Sequence, residues 1–366
     1  MEKIKLVQII ADSQMGGGPN QVLGLLQNID RDKYDCYLIC PTGILTRNAE
    51  KLPKVTIINL PFKTKFDLQT ILALKRELQR IQAKDNPFAK MIIHSHGPRA
   101  GLFCSLVDPK DATKIFTEHN YTQFYHLSNW FNSFVQAQMM DSVYRKNDCI
   151  IAVSTAVKQY LSKIKVNKSK VVVIHNGFDP IDYKRTSGKR EDIIIGTVGS
   201  LNPMKGQKYL ISALPEILKK YPNVRLEIVG EGPEKDNLIT EARRLNVSKR
   251  VALLGMKTDL DEYYSRWRVF ALPSVSETFG LVILEAMSAG LPVVATKSGG
   301  VADIIKDKMN GLLVERNNPT VLAKAIIQVL DNPELAENLT KNASKELPNF
   351  SWKVAIEKLE EIYKNA

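Results

Sequence analysis

The stretch IIIGTVGSLNPMKGQ, residues 193–207, decides the fold. A β-branched run ends in a glycine turn, and Pro203, Lys205 and Gly206 lead into helical sequence, the signature of a strand feeding a helix through a tight loop. It follows a polar connector, Asp179–Asp192 (DPIDYKRTSGKRED), and restarts a pattern already complete upstream. Before the connector come KLVQII, DCYLIC, KVTIINL, KMIIHSH, TKIFTEH, DCIIAVS and KVVVIHNG, each separated from the next by helical or turn sequence. After it come VRLEIVG, RVALLG, RVFALPS, LPVVATKS and NGLLV. Alternating βα units imply parallel sheet, so the chain is expected to be α/β with two doubly wound domains joined near residue 185. A length of 366 residues suits two cores.

Composition narrows the class. Apolar residues make up 44% and charged residues 25%, and no apolar run reaches the ~18–20 residues a membrane span needs. The N-terminal apolar run leads into a glycine-rich turn and reads as a first strand rather than a leader. Cys36, Cys40, Cys104 and Cys149 lack the spacing of a zinc or redox motif, which points to reduced thiols and the cytoplasm. The formal charge of +12 is uneven: residues 1–185 hold 26 Lys+Arg against 16 Asp+Glu, and the remainder 25 against 23. A basic first half would attract any polyanion, so charge alone selects neither nucleic acid, membrane nor acidic polymer.

Ligands of doubly wound sheets sit beyond the carboxyl ends of the strands. Three loops suit that role: MGGGPNQV with Gly16, Gly17 and Gly18, VGSLNPMKGQ with Lys205, and KSGGVADII with Gly299 and Gly300. The first lacks the G-x-G-x-x-G order, which disfavours a nicotinamide-dependent oxidoreductase. More specific is ETFGLVILEA, Glu277–Ala286, where two glutamates bracket an apolar segment. On one helix they would point about 80° apart. With Glu277 in the loop and Glu285 inside the helix, both reach one ligand, and adjacent sugar hydroxyls are natural partners for carboxylates. The structural alternative has Glu277 capping the helix and Glu285 paired with a cation such as Lys297.

The segment SETFGLVILEAMSAGLPVVATKSGGVADII resembles the nucleotide-sugar site of retaining glycosyltransferase family 4, whose signature is two glutamates separated by seven residues. The resemblance runs almost end to end, through Gly16–Gly18, HSHG (94–97), TEHN (117–120), HNGFD (175–179), VGSLNPMKG, VGEGP (229–233) and NGLLV (310–314). It implies the GT-B fold: two Rossmann-like domains, 1–184 for the acceptor and 185–349 for the donor, across a deep cleft, with a C-terminal helix (350–366) returning to the first. It implies that Glu285 accepts from ribose hydroxyls and Glu277 from the donor sugar, that Phe279, Gly280 and Leu281 offer backbone N–H groups, and that Lys205 neutralises the diphosphate. His119 would touch the sugar, Gly17 and Gly18 would face the phosphates, and loops carrying Gly230, Gly255 and Met256 would frame the base. His96, Arg99, Tyr121 and Tyr125 are the acceptor-side candidates. Arginine is common in the family at the position of Ser200, so Lys205 stands without that partner, and Arg99 is a candidate substitute; Asp303 departs from the family's glutamate.

The implied reaction is transfer of a sugar with retention from a nucleotide-diphosphate sugar, a UDP-sugar being the expected form, to a glycan or lipid-linked acceptor in envelope polysaccharide or glycolipid synthesis. No resident cofactor, metal or nucleic acid is expected; the DRD (30–32) and DLD (259–261) strings read as turn and helix-start sequence. A nucleotide-sugar epimerase or other enzyme on the same scaffold is the alternative, and a non-catalytic polyanion binder a more distant one. The basic segment KTKFDLQTILALKRELQRIQAK, with Ile71, Leu74, Leu78 and Ile81 at helical spacing, suits a peripheral position on the inner membrane face.

Overall fold

The computed structural model describes residues 2–14, 16–62, 67–107, 109, 111–120, 130–181, 183 and 193–365, with side chains left aside at 130–135. The chain divides into two compact units, Met1–Gly177 with Trp352–Ala366, and Phe178–Ser351. Most of the polar connector, including the expected 184/185 boundary, lies outside the described residues.

The first unit is built on a parallel sheet of β1 (Ile4–Ile10), β2 (Tyr34–Cys40), β3 (Val55–Asn59), β4 (Met91–His96), β5 (Ala112–Glu118), β6 (Cys149–Ala152) and β7 (Val171–Val173), in the order β3-β2-β1-β4-β5-β6-β7. The strands are nearly continuous apolar runs because helices cover both faces. Two cores result. One, around Leu6, Leu26, Leu38 and Ile115, takes in Trp352, Ile356, Leu359 and Tyr363 of the last helix, Trp352–Asn365. That docking is tight: a Cβ on Gly24 would stand 2.0 Å from the Trp352 ring. The other lies against the helix Leu68–Ala83, whose Leu74, Leu78 and Ile81 are buried.

The second unit has β8 (Ile194–Val198), β9 (Arg225–Val229), β10 (Val251–Leu253), β11 (Val269–Leu272), β12 (Val293–Thr296) and β13 (Leu312–Val314), ordered β10-β9-β8-β11-β12-β13 and parallel throughout. Among the described residues all thirteen strands fall on the β-branched runs read from the sequence. In both sheets the order reverses once, between β1 and β4 and between β8 and β11. Those reversals open the crevices in which doubly wound folds seat ligands.

Candidate active site

The crevice of the second sheet is formed by the loops after β8 and β11. After β8, Asn202 folds the chain back by accepting from the backbone N–H groups of Met204 and Lys205, at 3.0 and 3.2 Å, and donates to Ser200 Oγ at 2.8 Å. The turn closes on Gly206 at φ 66°, where a Cβ would stand 2.2 Å from the Pro273 carbonyl oxygen, so only glycine lets the two loops meet. Val275 N–H donates to the Met204 carbonyl at 2.8 Å, pinning them further. Lys205 Nζ thereby reaches Glu277 Oε2 at 2.7 Å, and Ser274 Oγ donates to the same oxygen at 3.2 Å. Glu277 is 8% exposed and Lys205 26%, so the pair is largely desolvated but open on one side.

Glu277 precedes the helix Leu281–Ser288, Gly280 occupies its N-cap at φ 101°, and Glu285 lies inside it. Phe279 is buried against Phe350 at 5.9 Å, so this residue contributes backbone rather than ring to the crevice. Glu285 Oε2 accepts from Tyr264 Oη at 2.7 Å. Burial pushes the Glu285 carboxyl above its ordinary range, and the Tyr264 hydrogen bond only partly opposes this. Lys297 instead faces Glu315 at 4.0 Å, so the expected alternative pairing of Glu285 is not the one formed.

The turn after β9 joins the same end of the sheet. Gly199 N–H donates to Val229 O, Leu201 N–H to Glu231 O and Gly230 N–H to Gly255 O, at 2.8 to 3.0 Å. Gly230, Gly255 and the exposed Met256 are thus contiguous with Ser200 and Lys205. A residue the sequence reading missed also stands here: Arg316 Nη1 donates to the Val275 carbonyl at 3.2 Å, placing a guanidinium beside the segment that carries Glu277. Its position just past β13, at a strand's carboxyl end, is the signal that could have found it.

The first unit's crevice has a different chemistry. Gly17 and Gly18 start the helix Gly17–Asn28, and a Cβ on Gly18 would lie 3.9 Å from His119 Cδ2. His96 ends β4 with Nδ1 3.1 Å from His119 Nε2 and Nε2 2.6 Å from Gln8 Oε1. His94 bridges Tyr363 Oη and Thr117 Oγ1, both at 2.7 Å. Burial lowers all three imidazoles, His119 to about 4 and His94 to about 3, with His96 also well below its ordinary value. They are neutral hydrogen-bonding groups at pH 7. Arg99 is exposed and donates to the Phe62 carbonyl at 3.1 Å. Tyr121 and Tyr125 lie outside the described residues, as do Lys63 and Lys65.

The DRD and DLD strings are turn formers: Asp30 Oδ1 accepts from Asp32 N–H and Asp259 Oδ1 from Asp261 N–H, both at 2.9 Å. Cys36, Cys40 and Cys104 are buried and Cys149 partly so, all as free thiols. Among the described residues no helix is long and apolar enough to cross a membrane.

Comparison with known proteins meets this geometry. The family model described as glycosyl transferases group 1 matches residues 181–346, and that described as Glycosyltransferase Family 4 matches residues 15–181. An uncharacterized glycosyltransferase of Methanocaldococcus jannaschii is 35% identical over 59% of this chain and 60% of its own length. A putative glycosyltransferase of Bacillus subtilis, EpsD, is 26% identical over 87% of this chain and 88% of its own. The matches span 60%, 53% and 59% of the first three curated relatives. The structure of Anabaena HepE in complex with UDP superposes with a TM-score of 0.84 at 20% identity, covering 99% of this chain and 100% of the other. Two family models that divide the chain between them, two parallel Rossmann-like sheets and the paired glutamates at the second sheet's reversal lead to one assignment: the chain belongs to glycosyltransferase family 4, with the GT-B fold.

Proposed function

We propose that the chain transfers a hexosyl group, with retention at the anomeric carbon, from a nucleotide-diphosphate sugar to a hydroxyl of a glycan or lipid-linked acceptor in envelope polysaccharide or glycolipid synthesis. The observation that carries this reading is the arrangement of Lys205, Glu277 and Glu285 at the reversal of the second sheet, beside a helix N-terminus. A cation and helical N–H groups suit a diphosphate, and two carboxylates suit vicinal hydroxyls. In this proposal Glu285 accepts from the ribose and Glu277 from the donor sugar.

The difficult step is separating an oxocarbenium-like sugar from a diphosphate anion, and the site must stabilise both. Lys205 is already held by Glu277, whose carboxylate also accepts from Ser274, so the cation is positioned before the donor arrives. As the sugar–phosphate bond lengthens, negative charge grows on the leaving oxygen, where Lys205 and the amide groups of Phe279, Gly280 and Leu281 are proposed to act. The carboxylate of Glu277 favours the positive side of the same charge separation. A departing phosphate oxygen takes the acceptor proton on the same face, so no covalent protein nucleophile is needed. The first unit's neutral imidazoles, His119 foremost, offer hydrogen bonds to carbohydrate hydroxyls without introducing a cation. A UDP-sugar is the donor proposed, a reading supported by the UDP and UDP-glucose complexes of Anabaena HepE.

The acceptor side is proposed to work at an anionic membrane surface. On the outer face of helix Leu68–Ala83, Leu68 is 66% and Leu72 46% exposed, with Lys75, Arg76 and Arg80 on the exposed side. Flotation with anionic against neutral vesicles tests this part: equal recovery would remove it. The donor reading is tested by melting the protein with UDP-, GDP- and ADP-sugars, since a ligand selective for the folded state raises the melting temperature. One nucleotide series should shift it, and Glu285→Ala should abolish the shift; no shift from any series contradicts the reading.

A further inference from the structure

Six side chains of the first unit form one buried chain of hydrogen bonds from the last helix to His119. Their order is Thr117, His94, Tyr363, Gln8, His96 and His119. Tyr363 and Gln8 are fully buried, and His94 and His96 nearly so. A chain of this kind has a sense, because each neutral imidazole offers one donor and one acceptor and each amide has a donor end and an acceptor end. Fixing one link fixes the rest.

The phenol supplies that link. Tyr363 Oη lies 2.7 Å from His94 Nδ1 and 3.4 Å from Gln8 Nε2; the amide nitrogen can only donate, so the phenol proton goes to the imidazole. His94 then carries its own proton on Nε2 and donates to Thr117 Oγ1. The phenol oxygen accepts from the Gln8 amide N–H, which turns Gln8 Oε1 toward His96 Nε2 at 2.6 Å. That nitrogen must carry the proton, leaving His96 Nδ1 bare and obliging His119 Nε2 to donate to it. Each contact in the chain then pairs one donor with one acceptor.

We propose that Tyr363 is a positioning residue that sets the tautomer of His119, so that Nδ1 of His119 is presented unprotonated, as an acceptor for a carbohydrate hydroxyl. The functional half of this statement rests on the transferase reading; the tautomer itself does not. It gives the returning C-terminal helix a role beyond packing, since its apolar stripe docks the helix and its one phenol hydroxyl reaches the imidazoles. It also restricts what His119 can recognise: a hydroxyl donates to it, and an ether or carbonyl oxygen gains nothing.

Long-range proton–nitrogen correlation spectra of the histidine-labelled full chain at pH 7 separate protonated from bare ring nitrogens. The expected spectrum has His119 protonated on Nε2 and bare on Nδ1. In Tyr363→Phe the His96 and His119 signals should move to mixed-tautomer values, and turnover should fall about tenfold with the donor KM within about twofold. Gln8→Leu cuts the chain at a different link and should produce the same His119 spectrum, which keeps the test decisive if the tyrosine variant folds poorly. A wild-type His119 protonated on Nδ1, or unchanged His119 signals in both variants, overturns the proposal. Because the spectra need no ligand, a failed donor-melting experiment would sink the transferase reading and leave the tautomer assignment standing. An active wild type with the opposite tautomer would do the reverse.

Discussion

The two sheet reversals are built alike and charged differently. Between β1 and β4 the polar groups are an amide, imidazoles that burial lowers and a phenol that burial raises, so none is charged at pH 7. Between β8 and β11 stand a lysine and two carboxylates, one of them in a 2.7 Å ion pair. The same backbone crevice thus serves two chemistries. A neutral crevice can order hydroxyls without paying the desolvation of an ion, whereas a charged one can hold a diphosphate and answer the charge that develops when it leaves. What separates the two is side-chain choice at a few strand, loop and helix positions around each reversal, consistent with the rule that fold does not dictate reaction.

The largest expected effect falls on the charged crevice. Glu285→Ala removes the proposed ribose acceptor, and with net losses of ~1.5–3 kcal/mol per charge-assisted hydrogen bond, donor affinity should drop about 100-fold, read by titration calorimetry. Next is Lys205→Ala, which leaves Glu277 without its cation. Because the pair is partly open, the cost in stability should be about 2 kcal/mol, below the range for fully buried pairs, measured by denaturant unfolding. Combining Lys205→Ala with Glu277→Gln should restore most of that stability but none of the turnover; recovered turnover would mean that the lysine has no role in the reaction.

Acid should distinguish the crevices by order. Glu285 has a raised carboxyl, so it takes up its proton at higher pH than an ordinary glutamate, and donor affinity should fall first. The histidines respond through stability. Their folded values lie below the unfolded value of 6.5, so the stabilisation is fully present above pH 6.5 and is lost as pH falls toward about 4. The expected slope is up to ~1.4 kcal/mol per pH unit for each histidine. Stability that stays flat from pH 6.5 to 5 would show that the imidazoles are not held neutral.

Two smaller changes sharpen the account of the missing arginine. Ser200 is exposed and adjoins Lys205, so Ser200→Arg should tighten donor binding about tenfold, the value of one charge-assisted contact. Arg316 lies at the rim, tied to the Val275 carbonyl, and Arg316→Ala should weaken donor binding about threefold. A larger loss for Arg316 than for Lys205 would identify the rim guanidinium as the principal cation.

Much of this was legible in the sequence because it is local. The β-branched runs announce the strands of the described residues, the apolar segment between the two glutamates sets Glu277 in the loop and Glu285 within the helix, and Trp352, Ala355, Ile356, Leu359 and Tyr363, at helical spacing, form the buried face of the last helix. What could not be read is long-range pairing. Lys205 and Glu277 lie 72 residues apart, and the bond between them arises from the adjacency of β8 and β11. Tyr363 reads as one more apolar stripe residue, and Gln8 as an interruption of a strand. Only the sheet order β2-β1-β4-β5 and the docked helix bring the phenol within reach of the His94 imidazole, 269 residues away.

The central claim is that the reversal of the second sheet seats the anionic handle and the ribose of an activated sugar. Its most direct test is calorimetric titration of UDP into the full chain and into Glu285→Ala and Lys205→Ala. Saturable one-to-one binding to the wild type, weakened by about 100-fold and about tenfold in the two variants, is the predicted result. UDP binding of equal strength in all three proteins would place the nucleotide elsewhere and contradict the account.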